Sequence, residues 1–201
     1  MNNSKTKIES TLGFGLAIIF VLGYCLMLAG SVADQLLTHS LPCPLCTLQR
    51  MAMAMTSIGP MWIIIATLKG TINSDTFARG YGLSLVFSMF GIVAAARQVL
   101  LHIAPHDPGS GPAVFGIHFY TYSLISFLVV ILFCGINLVF IKELTPQAET
   151  VPHALKVIAD IAMKFMFFMV VLMFILMIFE EGFNFLLPGD PVRYQLFDLF
   201  K

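Results

Sequence analysis

Five apolar runs, each about twenty residues or longer, restrict this chain more than any other feature. They extend from about Leu12 to Ala33, Thr47 to Leu68, Gly80 to Ile103, Phe115 to Ile141 and Ile158 to Phe179. A helix needs about 20 such residues to cross a hydrocarbon core of about 30 Å. Lipid offers no partner to an unpaired backbone group, so only helices or closed barrels span it, and runs of this length mean helices. Composition agrees: 58% of the residues are hydrophobic and 11% charged, far from globular usage. The expected fold class is an all-α membrane protein with no separate soluble domain. The net charge of +0 and the lack of a basic, aromatic-interleaved patch imply no nucleic-acid partner. The segment Met1 to Lys7 before the first run imitates the start of a signal peptide. No small-residue cleavage site follows, so the run reads as a retained first span. Gly13, Gly15, Gly23 and Gly30 in that span predict close helix packing.

The loops set an orientation. Lys5, Lys7, Lys69, Arg79, Lys142 and Lys156 fall on one side, and the loops Asp34 to Pro42 and Ala104 to Val114 contain no Lys or Arg. Basic loops stay cytoplasmic, so the latter two loops are expected outside, with the C-terminal tail beside them. Tyr120 and Tyr122 suit an interfacial aromatic belt, and His118 an interfacial hydrogen bond. In the tail, Asp190-Pro191 reads as a cap and first helical residue. Val192, Leu196, Leu199 and Phe200 form one apolar stripe of a short amphipathic helix.

The outward stretch Pro42-Cys43-Pro44-Leu45-Cys46-Thr47-Leu48-Gln49-Arg50 carries the chemistry. Pro42 and Pro44 predict non-helical backbone to about Leu45 and a helix from about Cys46. The helix N-terminus, and Arg50 one turn beyond Cys46, favour a thiolate. Arg50 lies just inside the membrane boundary, where a charge marks a functional position; snorkelling to the interface is the other explanation. Two cysteines at this spacing can exchange electrons with another dithiol. A structural disulfide or half of a zinc site remain alternatives. Zinc requires two further ligands, and His39, His102, His106 and His118 do not have the spacing of a ribbon or finger. Cys25 and Cys134 lie alone in apolar runs and read as small packed hydrophobes. Met163, Met166, Met169, Met173 and Met177 fall at helical spacing, and packing rather than a copper path accounts for them. An outward Cys pair sits in an oxidising compartment beside lipid-soluble carriers. A quinone, apolar and two-electron, matches one dithiol as acceptor, and Arg50 suits a reduced quinone oxygen. Cys43, ahead of the helix, is the expected target of a soluble partner's thiolate.

The run Cys43-Pro44-Leu45-Cys46-Thr47-Leu48-Gln49-Arg50 opening the second span resembles the disulfide bond formation protein B (DsbB) family of bacterial inner-membrane quinone reductases. Ala96-Arg97-Gln98-Val99-Leu100-Leu101-His102-Ile103-Ala104-Pro105 is similar to the end of that family's third span. The resemblance covers about residues 10 to 142. It implies a four-helix transmembrane bundle over 1–142; the cytoplasmic loop over 143–156, the fifth transmembrane helix over 157–180 and the periplasmic amphipathic tail over 181–201 are extra relative to that pattern. It implies Cys43 and Cys46 as catalytic residues, Arg50 and Gln98 as cofactor-binding residues, and ubiquinone or menaquinone as cofactor. The partner it implies is a periplasmic thioredoxin-like dithiol protein. The family carries a second cysteine pair in its second outer loop, whereas Ala104 to Phe115 contains none. Either Cys43 exchanges directly with a partner or another protein supplies the missing pair. The alternative is an accessory subunit of a membrane complex in which the Cys pair is structural or binds metal.

Overall fold

A computed structural model describes residues 2–104, 109, 113–182 and 193–200. The helices are α1 (Asn2–Thr38), α2 (Pro44–Thr56), α3 (Ile58–Leu68), α4 (Ser74–Leu101), α5 (Phe119–Val139), α6 (Ile141–Leu144) and α7 (His153–Glu181). Strands β1 (Ala113–Val114) and β2 (Ile117–His118) precede α5. Among the described residues, five segments are long and apolar enough to cross a membrane: Lys7–Thr38, Pro44–Leu68, Ser74–Leu101, Phe119–Val139 and His153–Glu181. The chain is a multi-pass helical membrane protein, as the apolar runs require.

The observed elements depart from the expected boundaries where local hydrogen bonding outweighs hydropathy. The segment Lys69 to Arg79 is not a loop throughout, because Asn73 caps α4 by accepting from the Thr76 N–H at 2.8 Å. Asp75 and Arg79 then pair one turn apart at 2.9 Å. The fourth span does not begin at Phe115. Phe115 and Gly116 both have positive φ, 52° and 78°, and close the two-residue hairpin between β1 and β2. A two-residue turn of this handedness matches the twist of its strands, and a phenylalanine in it gives little sequence warning.

The second span breaks at Ser57 into α2 and α3. Pro60 has no N–H, so the Thr56 carbonyl four residues earlier loses its helical donor. Ser84 Oγ of α4 donates to that carbonyl at 2.7 Å, and the break becomes a helix–helix contact. Close by, a Cβ on Gly59 would collide with the Gly80 carbonyl oxygen, so α3 and α4 meet backbone to backbone. In α1 only Gly13 behaves as expected, facing the Leu144 carbonyl where a Cβ would clash. Gly15, Gly23 and Gly30 have no neighbour within 4 Å of an added Cβ, which corrects their reading as packing glycines.

Helix α4 packs on α2, α3 and α5, while α1 packs on α3 and α7. The core joins Phe14, Phe77, Tyr81 and Phe127, all fully buried. Tyr81 meets Phe77 edge-on with ring centres 4.9 Å apart, a favoured aromatic geometry. Cys25 and Cys134 are buried within this core as expected, and Met166 and Met169 pack into it from α7. Lys164 pairs with Asp160 at 2.6 Å on the exposed face of α7. The tail helix is of 3-10 type over Gln195–Phe200 and packs on α7, with the Phe197 ring 6.0 Å from Phe179. The cap expected at Asp190-Pro191, as well as Val192, His106 and Asp107, lies outside the described residues.

Candidate redox site

The Cys pair begins α2, but the helix starts earlier than the prolines imply. Pro44 is the first helical residue, a position where its missing N–H costs nothing and its fixed φ suits the turn. Cys43 is the N-cap, and its sulfur accepts the Cys46 N–H at 3.3 Å. Capping by sulfur places both thiols at the positive end of α2. The sulfurs stand 2.8 Å apart as free thiols, so a small rotation brings them to a bond of about 2.05 Å. The hydrogen bond to Cys46, with burial acting the same way, holds the Cys43 thiol well above its ordinary range. Both cysteines are half-buried.

Gln98, near the end of α4 and fully buried, presents its amide nitrogen to both sulfurs, 3.4 Å from Cys43 and 3.3 Å from Cys46. Gln49 sets that orientation by donating to Gln98 Oε1 at 2.6 Å. Arg50 does not hydrogen-bond Cys46. Its Nη1 donates to Gln35 Oε1 at 2.6 Å and its Nη2 to the Ser31 carbonyl at 3.0 Å, both on α1. Gln35 Nε2 in turn donates to Glu180 Oε1 near the end of α7.

Beside the thiols lies a groove of about 600 Å³ between α1, α2, α5 and the hairpin. Cys43, Cys46, Gln49 and Arg50 line it together with Leu26, Met27, Phe115, Phe119 and Tyr122. It is mainly apolar with one guanidinium, the donor set suited to a planar apolar ring bearing carbonyl oxygens. Tyr122 Oη donates to the Val114 carbonyl at 3.0 Å and ties the hairpin to its rim. Tyr120, also on the rim, has its ring against His118 at 5.2 Å and His102 at 5.5 Å. Among the described residues no cluster of three or more His, Cys, Asp or Glu could hold a metal ion.

Of the four residues singled out in sequence, Cys43, Cys46 and Arg50 come together on the groove. Gln98 reaches the sulfurs but does not line the groove. Sequence reasoning missed Gln35, Gln49 and Glu180, each almost fully buried. Gln49 stood inside the quoted motif, and a glutamine next to Arg50 in an apolar helix was the available signal.

Fold and site define a membrane protein with a dithiol at one end of a helical bundle. The family model described as disulfide bond formation protein DsbB matches residues 14–137, and the chain belongs to that family of membrane disulfide oxidoreductases. No curated protein and no solved structure matches the chain. The family match ends before α7, so the fifth span and its Glu180 lie beyond it.

Proposed function

We propose that the chain is a quinone-linked protein-disulfide oxidoreductase of the bacterial inner membrane. It oxidises a periplasmic thioredoxin-like dithiol protein through Cys43 and Cys46 and passes the electrons to ubiquinone or menaquinone. One observation carries the reading: Cys46 and Arg50 line the same apolar groove, with the second sulfur 2.8 Å away. Residues 1–142 form the working four-helix unit, and 143–156, 157–180 and 181–201 are its inner loop, fifth helix and outer tail.

In the disulfide form, a partner thiolate attacks Cys43 and the Cys43–Cys46 bond breaks. Cys46 leaves as a thiolate, held by the helix N-terminus and the Gln98 amide. The partner's second thiolate attacks its own mixed-disulfide sulfur, so Cys43 leaves and takes up a proton. Cys46, Arg50 and the apolar walls of the groove would hold a quinone, which would supply the two-electron, two-proton sink needed to re-form the Cys43–Cys46 bond. Arg50 neutralises negative charge that develops on a carbonyl oxygen placed beside it. Gln98 serves the sulfurs rather than the ring. The absence of Lys and Arg from the loops at this end supports a periplasmic site.

The test is oxidation of a reduced thioredoxin-like protein by the purified chain, with and without quinone. Disulfide formation that requires both quinone and Cys46 supports the proposal. Oxidation at the same rate without quinone contradicts it.

A further inference from the structure

Arg50 stands between two cavities. Besides the groove next to the thiols, it lines a cleft of about 200 Å³ between α2 and α7, with Glu180, Met51 and Met173 among the other walls. Glu180 is 2% exposed. A carboxylate so placed needs a donor or a cation, and it has both in sequence: Gln35 donates to it, and Gln35 accepts from Arg50. The charge of Asp34 also reaches Arg50, and that of Glu181 reaches Glu180.

The chemistry of the three side chains fixes the direction of the chain. A guanidinium only donates and a carboxylate only accepts. The Gln35 amide between them therefore has one orientation that satisfies both ends. Without the carboxylate, the amide is free to turn its NH2 towards Arg50, donor facing donor. Arg50 would then keep only its bond to the Ser31 carbonyl, at 3.0 Å.

We infer that Glu180 is a positioning residue of the redox site: through Gln35 it holds the Arg50 guanidinium at the groove beside Cys46. The fifth helix is then part of the redox machinery. The inference rests on the quinone-linked reading for one of its readouts and is independent of it for the other.

The test uses the full chain in lipid nanodiscs, as wild type, Glu180→Ala, Glu180→Gln, Gln35→Ala and the Glu180→Ala/Gln35→Ala double variant. The first readout is steady-state kinetics with a short-chain ubiquinone analogue. Glu180→Ala and Gln35→Ala should each raise the quinone KM about tenfold and leave kcat within about twofold, because a charge-assisted contact is misplaced while both sulfurs and their Gln98 donor stay in place. Glu180→Gln still offers an oxygen to Gln35 and should stay within about twofold of wild type. The double variant should be no worse than the worse single one, as members of one chain are not additive. The second readout needs no quinone. Alkylation of Cys46 by iodoacetamide at pH 7, followed by peptide mass spectrometry, should slow about threefold in both Ala variants and recover in Glu180→Gln.

If quinone dependence fails for every protein, wild type included, the quinone-linked reading falls and the alkylation order alone decides the role of Glu180. Equal alkylation rates in all variants overturn the inference. So does a Glu180→Gln protein as impaired as Glu180→Ala. Should Glu180→Ala fail to fold, Gln35→Ala, on a different helix, carries the same expectations.

Discussion

The two ends of this bundle are closed by different kinds of contact. At the thiol end the buried groups are three glutamines, a carboxylate and a guanidinium: Gln35, Gln49, Gln98, Glu180 and Arg50 joined by side-chain hydrogen bonds. At the far end the helices meet through Gly13 against the Leu144 backbone and through Ser10 Oγ. That hydroxyl accepts the Gln147 N–H at 2.6 Å and pairs with Thr150 Oγ1 at 2.7 Å. A buried network of long polar side chains is costly when any member is unsatisfied, whereas the far end relies on one close glycine contact and one serine hydroxyl. Gln98 faces the sulfurs, and Gln49 and Arg50 line the groove. Stability and chemistry are thus divided between the ends, and substitutions at each should separate them.

The largest effect belongs to the thiols. Cys46→Ser and Cys43→Ser should each lower quinone-dependent dithiol oxidation by about a thousandfold or more, since the exchange needs both sulfurs. Their trapped species should differ when each is mixed with the oxidised partner: in Cys46→Ser the Cys43 thiolate attacks the partner's disulfide, releases one partner thiolate and accumulates as a mixed disulfide. Non-reducing electrophoresis checks this, and identical adducts would remove the separate roles. Arg50→Met comes next, with quinone kcat/KM down about a hundredfold in the steady-state assay, because it loses both the cation at the groove and two charge-assisted bonds.

At the far end, Gly13→Leu should destabilise the fold by about 3 kcal/mol through overpacking against Leu144, read from thermal unfolding in detergent. Turnover per folded molecule should not change, and a loss of turnover there would break the contrast between the ends. Gln98→Ala should slow dithiol oxidation about tenfold by removing the donor to both sulfurs while leaving the quinone KM unchanged. An altered KM would return Gln98 to the ring. Smallest is Lys164→Ala. The Lys164–Asp160 pair is exposed, so unfolding should move by no more than about 0.5 kcal/mol.

What could be read in the sequence followed how local each determinant is. Span number and type follow from runs of apolar residues, and the Cys pair with its following Arg is contiguous, so both were visible. The start of α2 at Pro44 was not, since a proline that forbids a helix interior also favours its first turn, and the capping sulfur decides between the two. The packing role of Gly13 against the idle Gly15, Gly23 and Gly30 depends on which face of α1 meets α6 and α7. The chain from Arg50 through Gln35 to Glu180 joins residues up to 145 positions apart, which no local pattern connects. Gln35 sat in what reads as an outer loop, and Glu180 lies just past the fifth apolar run. The length of α1 to Thr38 and of α7 to Glu181 buries both.

The central claim is that one dithiol reduces one quinone in the groove beside Arg50. It is tested most directly without any partner, by titrating the fully reduced chain with a quinone analogue in a single turnover. Quinone loss would be followed by absorbance and the thiols by intact mass. The account predicts one quinone reduced per chain, two hydrogens lost as the Cys43–Cys46 bond forms, and no reaction in Cys46→Ser. Reduced sulfurs after excess quinone, or equal quinone consumption by Cys46→Ser, would contradict it.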